Sequence, residues 1–268
     1  MNKFTTAILA TIALTGPAAA ADLLSKKSPP APVLAVSPWE FAAGGKLMSD
    51  YNFRGVSQSD RNPATTAYGE VRYNFSDNYQ MYAGAQGWSV KLPTSPSMEL
   101  DLYAGVRPVY GALSFDFGVM QYVYPGESKT IAPYSTDMTE VYGKVSYAIN
   151  DMFTVGANLF YTPDWLGTGS TGTYASATAK VTLPYNFAVS GEVGQYWLGK
   201  ADAGFSTYDY TYWNAGASYT YKLATLDLRY HDTTLTKSEC AAMAGNRKWC
   251  GQAYIATLSF DITSKDVK

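Results

Sequence analysis

The chain is poor in what a soluble domain or an enzyme usually carries. Asp, Glu, Lys and Arg make up 16% of its 268 residues, against about 25% in soluble domains. The formal net charge is -2, so there is no basic excess to hold phosphate, and nucleic acid is excluded as a partner. One histidine, His231, and two cysteines, Cys240 and Cys250, are too few ligands for a metal site. No cofactor is expected. Long apolar runs are scarce as well. The only one, from Phe4 to Leu14, is too short to cross about 30 Å of hydrocarbon.

That run follows Lys3 and precedes Gly16-Pro17 and four alanines, Ala18 to Ala21. It reads as a secretory signal over 1–20, cleaved after Ala20. Residues 21–38, with Pro29, Pro30, Pro32 and Pro38, read as an extended periplasmic linker. In an exported chain, Cys240 and Cys250 form a disulfide pinning the last long loop. Without a second apolar run, a mature chain that crosses a membrane must do so as a closed barrel. A mean hydropathy of -0.15 is no obstacle, because half of every barrel strand is polar.

Aromatic residues are abundant, with 23 Tyr, 11 Phe and 6 Trp. They suit interfacial girdles and a hydroxyl-rich lumen. Between Trp39 and Ile262 the sequence alternates with period two, the signature of strands. In Leu100 to Arg107 the even residues Leu100, Leu102, Ala104 and Val106 are apolar, opposite Asp101, Tyr103 and Arg107. In Leu113 to Val119 the apolar set is Leu113, Phe115, Phe117 and Val119. Glu70, Arg72, Asp101, Arg107, Asp116, Glu140, Lys144, Lys180, Glu192, Asp227 and Arg229 all share the polar parity of their segments. Alternation alone fits a soluble sandwich too. On a lipid-facing parity each Lys or Arg would cost about 2–4 kcal/mol, so in a barrel these charges line the lumen.

The spacing predicts about twelve strands, near 40–54, 65–75, 79–90, 98–108, 111–124, 137–149, 152–162, 173–183, 186–198, 208–221, 224–235 and 251–262. Tight links at Ser76-Asp77-Asn78, Val109-Tyr110, Asn150-Asp151, Pro184-Tyr185 and Lys222-Leu223 alternate with long ones. Such sorting belongs to an outer-membrane barrel and not to a Greek-key sandwich. The expected fold is all-β: a single closed, antiparallel, up-and-down transmembrane barrel over 39–262, both termini periplasmic, with a polar tail at 263–268.

Residues Asp50, Tyr51, Phe53, Arg54, Gly55, Ser57, Gln58, Ser59 and Asp60, followed by Pro63, resemble the opening signature of the TorF-type porin family. Glu99 to Tyr103, Tyr124-Pro125-Gly126, Glu140 to Tyr142, and Asp209-Tyr210 with Trp213 are similar to it at matching places. The resemblance implies an outer-membrane porin-like barrel without naming a solute. One departure is the end, where Phe260 is followed by Asp261-Ile262 and a polar tail instead of closing the chain.

Three functions compete. A passive channel would take small hydrophilic solutes through the charged lumen, with outer-membrane lipid and the barrel-assembly machinery as its other partners. A closed barrel would act as a surface-binding or structural protein through loop aromatics such as Trp165, Tyr208 and Trp249. A lipid hydrolase would need His231 beside a nucleophile such as Ser238; a rim histidine without catalytic duty is the simpler reading, and the chain is read as no enzyme. The Gly167, Gly169, Gly172 string has no βαβ context and reads as a loop tip. The six acids and five bases of the lumen either separate onto opposite arcs, giving a transverse field, or interdigitate as ion pairs that fill the interior. The loop Pro125 to Thr136, with Glu127 and Lys129, is a candidate constriction if it folds inward. Oligomeric state is not legible.

Overall fold

The computed structural model describes residues 37–130, 135–202 and 206–267. The signal read at 1–20 and all but the last two residues of the linker lie outside them. The elements, in chain order, are β1 (Trp39–Met48), β2 (Asn52–Phe53), β3 (Val56–Ser57), β4 (Ala64–Ser76), β5 (Tyr79–Trp88), β6 (Glu99–Tyr110) and β7 (Leu113–Val123). There follow β8 (Met138–Ala148), β9 (Phe153–Thr162), β10 (Gly172–Thr182), β11 (Phe187–Leu198), β12 (Tyr210–Tyr221), β13 (Ala224–Thr233), helix α1 (Lys237–Ala244) and β14 (Ala253–Thr263).

Twelve of these strands, all but β2 and β3, form one closed barrel. Every pairing is between sequence neighbours, except that β1 meets both β4 and β14, and all are antiparallel. Closure leaves no strand edge unpaired. Tight links gather at one end and long loops at the other. The link expected at Val109-Tyr110 falls two residues later, at Gly111-Ala112, where Gly111 has φ +62 and can adopt a left-handed turn without a Cβ clash.

The parity is the one the sequence predicts. Phe117, Val119, Val141, Val193 and Leu228 are exposed on the outer surface, while Asp101, Glu140 and Tyr122 are fully buried inside. The eleven charges all point inward. Exposed Trp39, Phe75, Tyr110, Tyr185, Phe187, Tyr221 and Phe260 ring the turn end, and Tyr161, Trp197 and Tyr254 stand toward the loop end. These are the two girdles.

The barrel is the expected one, with differences of detail. The first strand, expected to run to 54, stops at Met48, and the next fifteen residues turn into the barrel. The last long loop carries α1, so the fold is not purely β. Thr236 caps that helix by accepting from the Glu239 amide, while Glu239 accepts from the Thr236 amide. The strand at the C-terminal end continues past Phe260 to Thr263. The Ser264 amide then donates to the Phe41 carbonyl and Lys265 pairs with Glu40, so the polar tail closes against β1.

Candidate functional site

The signature segment is a plug. Asn52 pairs with Ser57 and Phe53 with Val56 in a two-residue hairpin, β2–β3. Its turn residues, Arg54 (φ 48) and Gly55 (φ +88), are both left-handed, as a type I′ turn requires. Glycine is demanded at 55 twice over, since a Cβ there would lie 2.0 Å from Thr233 Cγ2.

This turn carries Arg54 across the lumen to β8. Its guanidinium donates to both oxygens of Glu140, at 2.7 and 2.9 Å. It also lies within 4.6–4.9 Å of the ring centroids of Phe53, Phe160, Tyr174 and Tyr196. Burial works against the guanidinium charge, but the Glu140 carboxylate outweighs it and holds the proton more firmly than usual.

The other signature residues hold the plug to the wall and the loops. Asp50 accepts from Ser57 and Ser59 hydroxyls and pairs with Arg61 at 3.0 Å. Tyr51 stacks on Trp88 at 4.1 Å and donates to Glu99 at 2.6 Å. The Gln58 amide donates to the Tyr51 carbonyl, and the Gln58 carbonyl accepts from the Lys91 amide. Asp60 accepts from the Trp249 indole at 2.7 Å, and Arg61 donates to the Lys248 and Trp249 carbonyls. Val56 bridges to Cys250. Cys250 is joined to Cys240, so the disulfide ties α1 to the segment lying on the plug.

The lumen charges interdigitate. Arg72 pairs with Glu40 at 2.8 Å and Glu70 at 2.5 Å; Arg107 bonds both Glu70 oxygens and lies 3.8 Å from Asp116, which is 3.8 Å from Lys144. Tyr82 donates to Asp116, and Arg107 stacks 3.6 Å over the Tyr82 ring. One arc, from β1 through β8, is therefore filled by an ion-pair ladder. On the other arc Arg229 pairs with Asp227 at 2.9 Å and donates to Asn214 at 2.6 Å and Ser190 at 2.8 Å. Tyr174 donates to Glu192 at 2.9 Å. Toward the turn end this arc carries small polar groups, Thr178, Ser190, Ser218, Thr225 and Ser259, beside Lys180, and all are half-buried.

The sequence named the eleven charges but missed Glu40, Lys46, Glu99 and Asp261. Each lies at or near the end of its strand, on the inward parity that would have included it. Glu127 does not narrow the lumen through its described contacts. It binds Lys129, whose side chain is 58% exposed, and accepts from the Thr136 amide and hydroxyl; residues 131–134 of that loop lie outside the described residues. Among the described residues, the segment that enters the lumen is 49–63.

Trp165 and Trp249, the loop aromatics that a closed barrel would use for contact, are buried at 7% and 5%. Their rings face inward over the plug because the loops close over it. His231 bonds Tyr212 at 2.8 Å within the wall, while Ser238 bonds Thr236 on the exposed face of α1. The structure gives these two no contact. Gly167 closes a short 3-10 turn and Gly172 opens β10, in a plain loop.

Among solved structures, the fold resembles a chain from work on in-meso crystallization of membrane proteins. The TM-score is 0.54 at 14% identity, over 84% of this chain and 84% of that one. It also resembles the NanC porin in a rhombohedral crystal form, with TM-score 0.51 at 11% identity, over 82% of this chain and 98% of the porin. At these identities the likeness is one of fold, that of an outer-membrane barrel. No curated protein matches the sequence. The family model that does match covers residues 33–261, and the chain belongs to that family, Gcw_chp, bacterial proteins of unknown function.

Proposed function

We propose that the chain is an outer-membrane channel for passive diffusion of small hydrophilic solutes, with the segment 49–63 as its constriction. In this reading the leader at 1–20 is removed on export, the turn end faces the periplasm and the loop end faces outward. The TorF-type resemblance belongs to the same reading, as do lipid and the assembly machinery as partners. The observation that carries it is the uneven filling of the lumen. Ion pairs close one arc, while the small polar groups of the other are only half-buried. Twelve strands give a bore between a filled eight-stranded barrel and an open sixteen-stranded porin, so a single inserted segment can control it.

The burial of Arg54 supports a second reading, a barrel that stays shut and works through its loops. Planar-bilayer recording separates the two. Purified wild-type protein should give small discrete conductance steps, and Glu140→Gln, which loosens the plug, should give larger ones. Silence from both at all voltages would sink the channel and leave the loop reading.

A further inference from the structure

Above the plug lies a cavity of about 270 Å³. The plug, through Phe53 and Val56, and the ends of the strands bound it on one side. The loops bound it on the other, through Leu92, Pro93, Trp165, Trp249 and Met243 of α1. Benzene fills a cavity of about 150 Å³, so this one has room for a substituted single ring. Its wall is the wrong surface for a hydrophilic solute. Tyr122, Tyr124, Tyr196 and Tyr210 complete a cage of rings.

Gln58, Thr94, Thr136 and Glu99 break the apolar wall, and Glu99 is the one acid among them. The Glu99 carboxylate, 2% exposed, accepts from Tyr51 at 2.6 Å and Tyr124 at 2.9 Å. Burial and the neighbouring Glu99 charge hold both phenols well above their ordinary range, so they remain donors. Two further lone-pair positions of the carboxylate stay unused by these bonds. Two residues on, on the same face, Asp101 accepts from the Trp88 indole, and its other oxygen is buried without a partner. No Lys or Arg pairs with either acid among the described residues; the plug cations Arg54 and Arg61 are committed to Glu140 and Asp50. Independently, Tyr196 lines the cavity, and its buried hydroxyl has no hydrogen bond of good geometry, with Arg54 and Trp165 as its polar neighbours.

Buried carboxylates without a counter-cation are costly, and aromatic cages favour organic cations. We infer that this vestibule is a binding site for a small aromatic ammonium compound, its charge held by Glu99 and the surrounding rings and its polar contact completed by the Tyr196 hydroxyl. The assignment does not depend on whether the barrel conducts.

The test uses full-length protein folded in detergent micelles and followed by calorimetry. The probes are phenethylammonium and its neutral, water-soluble counterpart 2-phenylethanol. Phenethylammonium should bind at least tenfold tighter to the wild type. Glu99→Gln should erase that preference while retaining the compact, heat-shifted band of a folded barrel. Sodium at the same concentration should not displace the amine. Equal affinity for the two probes, no binding of the amine, or displacement by sodium would each overturn the proposal. The comparison of probes on wild-type protein needs no variant, so a folding defect in Glu99→Gln cannot mask the answer.

Discussion

Arg54 and Glu140, 86 residues apart in sequence, meet in the lumen through two hydrogen bonds of 2.7 and 2.9 Å. Arg54 is a left-handed non-glycine residue, a conformation that costs about 1–3 kcal/mol. Asp60 and Arg61 of the plug are left-handed too, and all three fasten it, Arg54 to Glu140, Asp60 to the Trp249 indole and Arg61 to Asp50. Removing one partner of a buried pair leaves the other charge stranded, at about 3–5 kcal/mol. Glu140→Gln should therefore lower the free energy of urea unfolding from vesicles by about that amount. A change under about 0.5 kcal/mol, as for an ordinary surface substitution, would mean the pair does not hold the plug.

Outward positions should refuse charge. Val141 is 53% exposed on the outer face, and Val141→Arg should destabilise the barrel in lipid by about 2–4 kcal/mol. Ser218→Arg, on the half-buried inner arc, should cost much less. Equal costs, measured by the same unfolding equilibrium, would argue against the assigned faces.

The Cys240–Cys250 bond should stabilise α1 and the segment lying on the plug, not the barrel. Reduction should raise hydrogen exchange through α1, whose capping box remains, and at the Ser57 amide, which donates to the Trp249 carbonyl at 2.9 Å. Strand amides such as those of β6 and β7 should be unaffected. Faster exchange across the whole barrel would contradict this division.

The Glu127 contact should respond to acid. Burial pushes its carboxyl up, but Lys129 and Thr136 outweigh that and hold it below the ordinary value of 4.5. A lowered folded pKa means the contact contributes fully above about 4.5 and is lost as pH falls through the depressed value. The Thr136 amide, which donates to Glu127 at 3.3 Å, should show a protection factor that drops between pH 5 and pH 3, about the carboxylate range. In Glu127→Gln the drop should vanish. An unchanged factor in the wild type would count against the clamp.

Much of this fold is written locally, and the site is not. Parity is read two residues at a time, so Asp116 opposite Phe117 already assigns both faces. The turn and loop lengths follow from Gly, Pro, Asn and Asp placement. The helix was also legible, since Thr236 and Glu239 stand at capping-box spacing. The plug was different. Its register depends on Arg54 finding Glu140, Tyr51 finding Glu99 48 residues on, and Arg61 finding the Trp249 carbonyl 188 residues on. Nothing in the period of Asn52 to Asp60 says that this stretch turns inward. The hint was chemical: Arg54-Gly55 directly after Tyr51 and Phe53 is an odd composition for an exposed loop. Ion pairing in the lumen was likewise undecidable from one strand at a time, because pairs such as Arg107 with Glu70 join strands two apart in the barrel.

The most direct test of the account is the sidedness of the wall in a bilayer. Spin labels placed at Val119, Val141, Val193 and Leu228 should relax with oxygen dissolved in the lipid. Labels at Ser190, Ser218 and Ser259 should relax with a water-soluble nickel complex. Accessibility should switch with every residue along β11 and β13. The inverse pattern, or no alternation at all, would contradict an apolar surface turned to lipid around a polar lumen.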